Sequence, residues 1–185
     1  MKKSGKRVFL VVATLLVVTA CVCISILLLY RAHIDAKLND FYHETDKTAE
    51  ARFDAVISAL KTGDAETLRS MFSREALSEI EDIDTKLEAL ISLSSENITA
   101  HEAADVRGGY VIDGLFDYSY SYYAVKALTD GKKCYYLFIL ETPISSHSTG
   151  EDIGIQILGF SGEEDSEGTK YFGLLHKPSG IYLYP

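Results

Sequence analysis

The chain has 185 residues, 47% of them hydrophobic and 11% aromatic, with 18 Lys and Arg against 27 Asp and Glu. This length allows one domain of ordinary size and excludes a large multidomain protein. The net charge of -9 argues against nucleic-acid binding, which needs clustered basic residues, and three cysteines are too few for a disulfide-built miniprotein.

The N-terminal segment is basic and then apolar. Residues 8–30 contain no charged side chain. At about 1.5 Å per residue, a helix of that length reaches roughly 35 Å and can cross a bilayer core of about 30 Å. The charged side chains up to position 31 are Lys2, Lys3, Lys6, Arg7 and Arg31. Because most of them precede the apolar stretch, the positive-inside rule predicts a cytoplasmic N-terminus and an acidic domain outside.

Two interpretations of this segment stay open. Residues 18–21, Val-Thr-Ala-Cys, resemble the bacterial lipobox, in which case Cys21 becomes the lipid-modified N-terminus and residues 1–20 are removed. Alternatively, the segment stays uncleaved as a single-span anchor. We favour the uncleaved anchor because residues 22–30 remain apolar, whereas a lipidated cysteine is usually followed by a polar tether.

Hydropathy and charge divide the chain into four parts. These are a cytoplasmic basic region (1–7), a membrane or signal segment (8–30), a helical stalk (31–50) and an extracytoplasmic domain (51–185). The stalk is polar with apolar residues at helical spacing, which predicts that it continues the membrane helix.

The first half of the outer domain has the spacing of amphipathic helices. One apolar face is formed by Phe53, Val56, Ile57 and Leu60. Gly63 is predicted to end this helix, and Asp64 to cap a short helix that follows. Ser73 or Asp84 can cap the next helical segment, whose apolar face is formed by Ile83, Leu87, Leu90 and Ile91.

After Ser95 the apolar period becomes two, and residues typical of strands dominate. The clearest strands are DYSYSYYAVKA at 117–127, KKCYYLFILET at 132–142 and DIGIQILGF at 152–160. Thr129-Asp130-Gly131 predicts a hairpin turn between the first two. Weaker strands are predicted at 98–111, 171–175 and 181–184. Helices followed by strands predict an α+β domain, in which N-terminal helices pack on a curved antiparallel sheet.

Several strings resemble, in their order, an uncharacterised family of membrane-anchored bacterial proteins and lipoproteins that is known as a domain of unknown function. They are ISALKTGDAETLRSMFS at 57–73, DIDTKLEAL at 82–90, GKKCYYLFI at 131–139, DIGI at 152–155 and GIY at 180–182. The resemblance implies the cone-shaped α+β fold of ketosteroid isomerase and nuclear transport factor two, a bent sheet around a long helix with a pocket at its mouth. That fold serves enzymes and non-enzymes alike, and the resemblance carries over no site residue.

Asp117 with Tyr118, Tyr120 and Tyr122 is the strongest candidate for a pocket or an interaction surface. An acid–base enzyme of this fold needs an Asp or His in an apolar pocket beside a tyrosine hydroxyl. Strict alternation, however, points Asp117 away from the face that carries Tyr118 and Tyr120. A tyrosine stripe is typical of packing between helix and sheet, or of a binding surface.

We expect no metal site and no cofactor. The histidines are far apart, without an i, i+4 pair or a neighbouring cysteine, and the chain has no G-x-S-x-G motif of serine hydrolases. Cys134 lies on a predicted apolar strand, where a packed cysteine is the expected role.

These patterns favour a non-catalytic ligand-binding or protein-interaction module at the cell membrane, with its domain outside the cell. Its expected partners are the membrane and an unidentified protein or small molecule, not nucleic acid. The alternative is a small-molecule isomerase or cyclase that uses the cone pocket for acid–base chemistry. A third hypothesis is a homodimer formed through the open sheet face. A buried Asp or His beside a tyrosine hydroxyl in an open pocket would favour the enzyme, and a filled cone the binding module.

Overall fold

The computed structural model describes residues 3–94, 100–101, 105–112, 114, 117–131, 134–147, 149–162 and 173–184. Its helices are α1 (Lys3–Thr62), α2 (Ala65–Ser70), α3 (Arg74–Glu79) and α4 (Ile83–Ser94). Its strands are β1 (Ala100–His101), β2 (Asp105–Ile112), β3 (Tyr118–Thr129), β4 (Cys134–Ser145), β5 (Gly154–Ser161) and β6 (Gly180–Tyr184). The chain forms two compact units, Met1–Glu44 and Thr45–Pro185, whose boundary falls within α1.

The first unit contains the N-terminal part of α1. Among the described residues, Val11–Asn39 is the one helical segment long and apolar enough to span a membrane or to be a signal sequence. The hydroxyl groups of Thr19 and Ser25 donate hydrogen bonds to the carbonyl oxygens of Leu15 and Cys21, each at 2.9 Å. The hydroxyl groups of these two side chains are therefore satisfied within the helix itself.

In the second unit, the helix ends follow the predicted signals. The predicted apolar face of α1 is buried at Phe53, Val56, Ile57 and Leu60. Gly63 ends α1 in the left-handed conformation, with φ +69°. Asp64 accepts a hydrogen bond from the backbone N–H of Thr67 at 2.9 Å, and Ser73 accepts one from the first turn of α3 at 3.0 Å. The N-cap predicted at Asp64 is confirmed. Ser73 caps α3, but the apolar face predicted for the capped segment lies on the separate helix α4, whose first turn contains Asp84.

The three clearest predicted strands are present as β3, β4 and β5. Gly131 turns the chain after β3 with φ +86°, and its backbone N–H donates to the hydroxyl oxygen of Thr129 at 3.0 Å. The strand predicted at 98–111 is divided into β1 and β2, and residues 98–99 and 102–104 lie outside the described residues.

Within the described residues, the six strands form one mixed sheet in the order β1-β3-β4-β5-β6, with β2 also paired to β3. All pairs are antiparallel except β5 and β6, which run parallel. The prediction of an antiparallel sheet is therefore wrong at its last strand. The strand predicted at 171–175 is also wrong for Gly173 and Leu174, which form a helical turn, while 171–172 lie outside the described residues. The connection after β5 is long enough for a crossover, which parallel strands need.

The sheet of the second unit has apolar groups on both faces. The inner face, turned to the C-terminal part of α1, buries Ala124, Leu128, Leu137 and Ile139. On the outer face, Phe138, Ile157 and Leu174 form a second buried cluster. The core of this unit thus lies between α1 and the sheet, with a smaller cluster behind it.

Candidate functional site

The inner face of β3 carries the tyrosines that the sequence singled out. Tyr118, Tyr120 and Tyr122 are 6%, 0% and 1% exposed, and as alternate residues of β3 they lie on one face of the strand. Asp117 lies directly before β3 and is exposed. The structure therefore does not combine its carboxylate with the three phenols, and burial leaves these tyrosines almost no surface for direct contact with a partner.

The ring of Tyr120 extends over Gly108 of β2. A methyl group placed on Gly108 would lie 1.8 Å from the hydroxyl oxygen of Tyr120 and 2.6 Å from its Cζ. The missing side chain of Gly108 thus makes room for the buried ring, which is a common role of glycine within a strand.

Tyr122 lies beside a buried acidic residue, Glu141 of β4, its partner in the strand register. The hydroxyl of Tyr122 donates to Oε2 of Glu141 at 2.7 Å. From α1, Nε of Arg52 donates to the same oxygen at 2.9 Å, and Nη2 of Arg52 donates to Oε1. Both carboxylate oxygens therefore have donors, which stabilises a charged group in the interior.

Burial and charge determine the pKa values in this trio. Burial raises the pKa of Tyr122, the charge and hydrogen bond of Glu141 raise it further, and the charge of Arg52 offsets only part of the effect. For Arg52, burial acts to lower the pKa, but the hydrogen bond and charge of Glu141 outweigh it, so that the pKa is raised. At neutral pH, Tyr122 is a protonated donor and Arg52 a cation.

A second ion pair joins α1 to β3. Lys126 is fully buried, and its Nζ donates to Oε2 of Glu50. The same Nζ lies 3.8 Å from Oδ1 of Asp54 and 5.5 Å from the ring centroid of Phe53. The aliphatic part of Lys126 thus lies beneath the helix while its ammonium group reaches the acidic side chains at the edge.

We call Arg52, Tyr122, Lys126 and Glu141 the inner cluster. A general acid or base must place its proton-transferring atom within hydrogen-bond reach of a substrate. Here the oxygens of Glu141 are engaged by donors of the protein itself. The inner cluster is therefore suited to holding α1 on the sheet.

A polar pocket with a volume of about 390 Å³ lies between α3 and the connection from β4 to β5. Backbone hydrogen bonds hold its walls together. The N–H of Ile155 donates to the carbonyl of Met71 at 2.9 Å, and the N–H of Ser73 donates to the carbonyl of Ile155 at 3.0 Å. The N–H of Glu75 also donates to the carbonyl of Glu151 at 3.0 Å. The pocket is thus formed in advance of any ligand.

Gly154 allows this close approach of the two walls. It has φ +127°, a conformation that L side chains rarely adopt, and a Cβ at this position would lie 2.7 Å from the backbone nitrogen of Ser73. It would also lie 2.9 Å from the carbonyl oxygen of Met71. Because these neighbours are backbone atoms, they cannot rotate away, and glycine is required here.

The pocket contains a His–Asp pair. Besides Thr149, the described side chains that line it are Arg74, Glu75, Ser78, His147, Glu151 and Asp152. Nδ1 of His147 lies 3.3 Å from Oδ2 of Asp152, and these side chains are 30% and 15% exposed. Nε2 of His147 and Oδ1 of Asp152 are buried and have no hydrogen-bond partner among the described residues. Unsatisfied buried polar atoms are rare in folded proteins and indicate a place for a further partner.

The size and lining of the pocket suit a small polar molecule. Its volume falls within the range of roughly 300–1,000 Å³ that is usual for ligand sites. Within the described part of the chain, no group of three or more His, Cys, Asp and Glu side chains is arranged to hold a metal ion. The polar and charged side chains of the lining can bind a ligand through hydrogen bonds and charge.

Sequence reasoning missed the pair of His147 and Asp152. Both residues lie in the connection between β4 and β5, where neither helical nor strand periodicity applies. The short connection between the two antiparallel strands could have indicated the pair, because such a connection keeps its side chains close together. The strings 57–73 and 152–155, which carried the family resemblance, meet where Phe72 bridges Ile155.

A comparison with known families finds one that is described as Domain of unknown function (DUF5104), which matches residues 55–163. The match covers more than half of the chain and includes all the described residues that line the polar pocket. No curated protein and no solved structure matches the chain.

Proposed function

We propose that this chain, which belongs to the Domain of unknown function (DUF5104) family, is a membrane-anchored, extracytoplasmic module that binds a small polar ligand without converting it chemically. The observation that carries the proposal is the polar pocket, whose hydrogen-bonded walls leave Nε2 of His147 and Oδ1 of Asp152 buried and without a partner among the described residues. A polar ligand in the pocket can supply the missing hydrogen-bond partners of these atoms.

The anchor is supported by the apolar helical segment Val11–Asn39 and by the basic residues before it. Large side chains such as Phe9 and Leu29 are 76% and 72% exposed, which suits contact with lipid. In our proposal the N-terminus is cytoplasmic, the segment is not cleaved, and the second unit lies outside the cell. Lipid attachment at Cys21 is the alternative form of the same anchor.

The isomerase or cyclase alternative has less support from the inner face of the sheet. Tyr122 and Glu141 form a pair of the type that such an enzyme uses, but Arg52 and Tyr122 occupy both oxygens of the carboxylate. We therefore propose that the cone-shaped fold is present with its interior filled by side chains, and that binding takes place at the polar pocket instead.

A histidine-detected titration tests ligand binding directly. The full chain, labelled with 13C-histidine and inserted in phosphatidylcholine nanodiscs, is titrated with small cationic, neutral and anionic polar compounds. We expect at least one class to shift the His147 resonance, assigned with His147→Gln, to saturation, while exposed His176 stays unchanged. If every compound leaves His147 unchanged, or moves both resonances alike, the proposal is wrong.

The homodimer predicted from the sequence stays a prediction. Size-exclusion chromatography with light scattering of the full chain in detergent would contradict it by showing a strict monomer.

A further inference from the structure

The charges of the polar pocket favour a positively charged ligand. Among the described residues that line it, Glu75, Glu151 and Asp152 contribute three carboxylates, against one guanidinium from Arg74. That guanidinium already donates to the carbonyl oxygen of Thr149 at 2.9 Å, so it forms part of the wall. The lining keeps a net negative charge, and complementary charge favours cations over anions.

The unpartnered atoms point to the same class of ligand. Nδ1 of His147 faces Oδ2 of Asp152 at 3.3 Å, and an ionised carboxylate can only accept hydrogen bonds. With its Nδ1 proton directed at this carboxylate, a neutral imidazole presents Nε2 as an acceptor. Oδ1 of Asp152 is a second acceptor. Both atoms are buried, have no donor among the described residues and belong to side chains that line the pocket. Buried acceptors without donors cost free energy until N–H groups reach them.

We propose that the pocket selects a small organic cation with at least two N–H donors, such as a guanidinium or amidinium compound. Such a cation supplies paired donors and a positive charge, and it matches the acceptors and the net charge at the same time. A metal ion fits less well, because no group of three or more ligating side chains is arranged for it in the described part of the chain. This inference rests on the proposed function, since it names the ligand class of the same pocket.

A matched pair of probes separates charge from shape. Methylguanidinium and N-methylurea have nearly the same size and planarity, but only the first is charged, and acetate serves as the anionic probe. The measurement is the titration of the His147 resonance in the full chain in phosphatidylcholine nanodiscs, at constant pH and ionic strength. We expect saturable shifts with methylguanidinium and none with N-methylurea or acetate.

Variants assign the binding to the pocket. Asp152→Asn replaces a charged acceptor and should weaken methylguanidinium binding by about 10- to 100-fold. Glu88→Gln removes an exposed carboxylate on α4, outside the lining, and should leave the affinity unchanged. If Asp152→Asn does not fold, Glu151→Gln at the exposed rim serves instead and should weaken binding roughly threefold.

The failures of the two proposals can be told apart. If N-methylurea or acetate shifts His147 as strongly as methylguanidinium, selectivity for cations is overturned while ligand binding stands. Equal loss of affinity in Asp152→Asn and Glu88→Gln also overturns the inference. If none of the three probes binds, the inference is overturned, and the proposed function fails too only if the wider set of compounds described above is also inert.

Discussion

Arg52 of α1 binds the buried carboxylate of Glu141 in β4 through two of its nitrogens, although the residues are 89 positions apart in the chain. Glu141 is 1% exposed and Arg52 30%. The hydroxyl of Tyr122 donates to the same carboxylate. The ion pair of Arg52 and Glu141 joins α1, which continues from the apolar segment, to the sheet. Loss of this pair should therefore affect the whole second unit.

We predict that Arg52→Met lowers the free energy of unfolding by about 3 kcal/mol, because it leaves a buried carboxylate without its cation. Urea unfolding of the full chain in nanodiscs, followed by far-UV circular dichroism, measures the change. Arg69→Met is the matched control, since its partner Asp84 is 72% exposed and such surface pairs contribute at most about 1 kcal/mol. Equal losses in the two variants would refute a special role of the buried pair.

A second prediction concerns Gly154. We expect Gly154→Ala to lower the free energy of unfolding by about 3 kcal/mol, because a β-carbon there adds backbone strain and collides with the Met71–Ser73 backbone. Gly109→Ala is the control, since its added methyl group meets nothing within 4 Å. The account of the pocket wall is wrong if the two variants are equally stable in the same urea unfolding measurement.

A third prediction follows from the raised pKa of Tyr122. In the unfolded chain a tyrosine ionises near pH 10, whereas folded Tyr122 keeps its proton to higher pH. The contribution of Tyr122 to the free energy of unfolding is therefore complete below pH 10 and is lost as the pH rises above 10. Tyr122→Phe removes this term and should reduce the loss of stability above pH 10 by up to about 1.4 kcal/mol per pH unit.

The measurement for Tyr122 is urea unfolding between pH 8 and pH 11. The variants are compared by the slope of the free energy of unfolding against pH, not by its absolute value. Tyr110→Phe is the control, because Tyr110 is 50% exposed. If Tyr122→Phe and Tyr110→Phe change this slope above pH 10 equally, burial of Tyr122 beside Glu141 does not cause the loss of stability at alkaline pH.

Local features of the fold could be predicted because they depend on neighbours in sequence. Gly63, Asp64 and Ser73 act where a helix end needs left-handed backbone or a capping oxygen, and each of them does so in the structure. The alternation of β3 likewise predicted that Tyr118 and Tyr120 share a face. These effects need no knowledge of the rest of the chain.

Features that depend on distant contacts could not be predicted in this way. The sequence pattern indicates that Glu141 is the polar end of an apolar strand. Only the packing of α1 on the sheet brings Arg52 to Glu141. The His147–Asp152 pair needs the pairing of β4 with β5 and the contact of Gly154 with the α2–α3 connection. The parallel β6 depends on the path after β5, where the strand predicted at 171–175 is wrong for Gly173 and Leu174.

A fourth prediction concerns the anchor. We expect intact-mass analysis of the membrane-extracted chain to find residues 1–20 still present, and Cys21→Ser to remain in the membrane fraction. The reason is the apolar run that continues past Cys21, which suits a spanning helix better than a lipid tether. A chain that begins at a diacylated Cys21 would overturn the uncleaved anchor and favour the lipoprotein.

The most direct test of the central claim places one cysteine at the polar pocket. In bacterial cells that produce Thr149→Cys, with the native cysteines replaced by serine, the rate of reaction with a membrane-impermeant maleimide is measured on intact cells. The compound that shifts His147 most strongly is then added outside. An extracytoplasmic binding pocket predicts labelling without lysis and a slower rate with the compound. Labelling that requires lysis, or a rate that the compound does not change, would contradict the account.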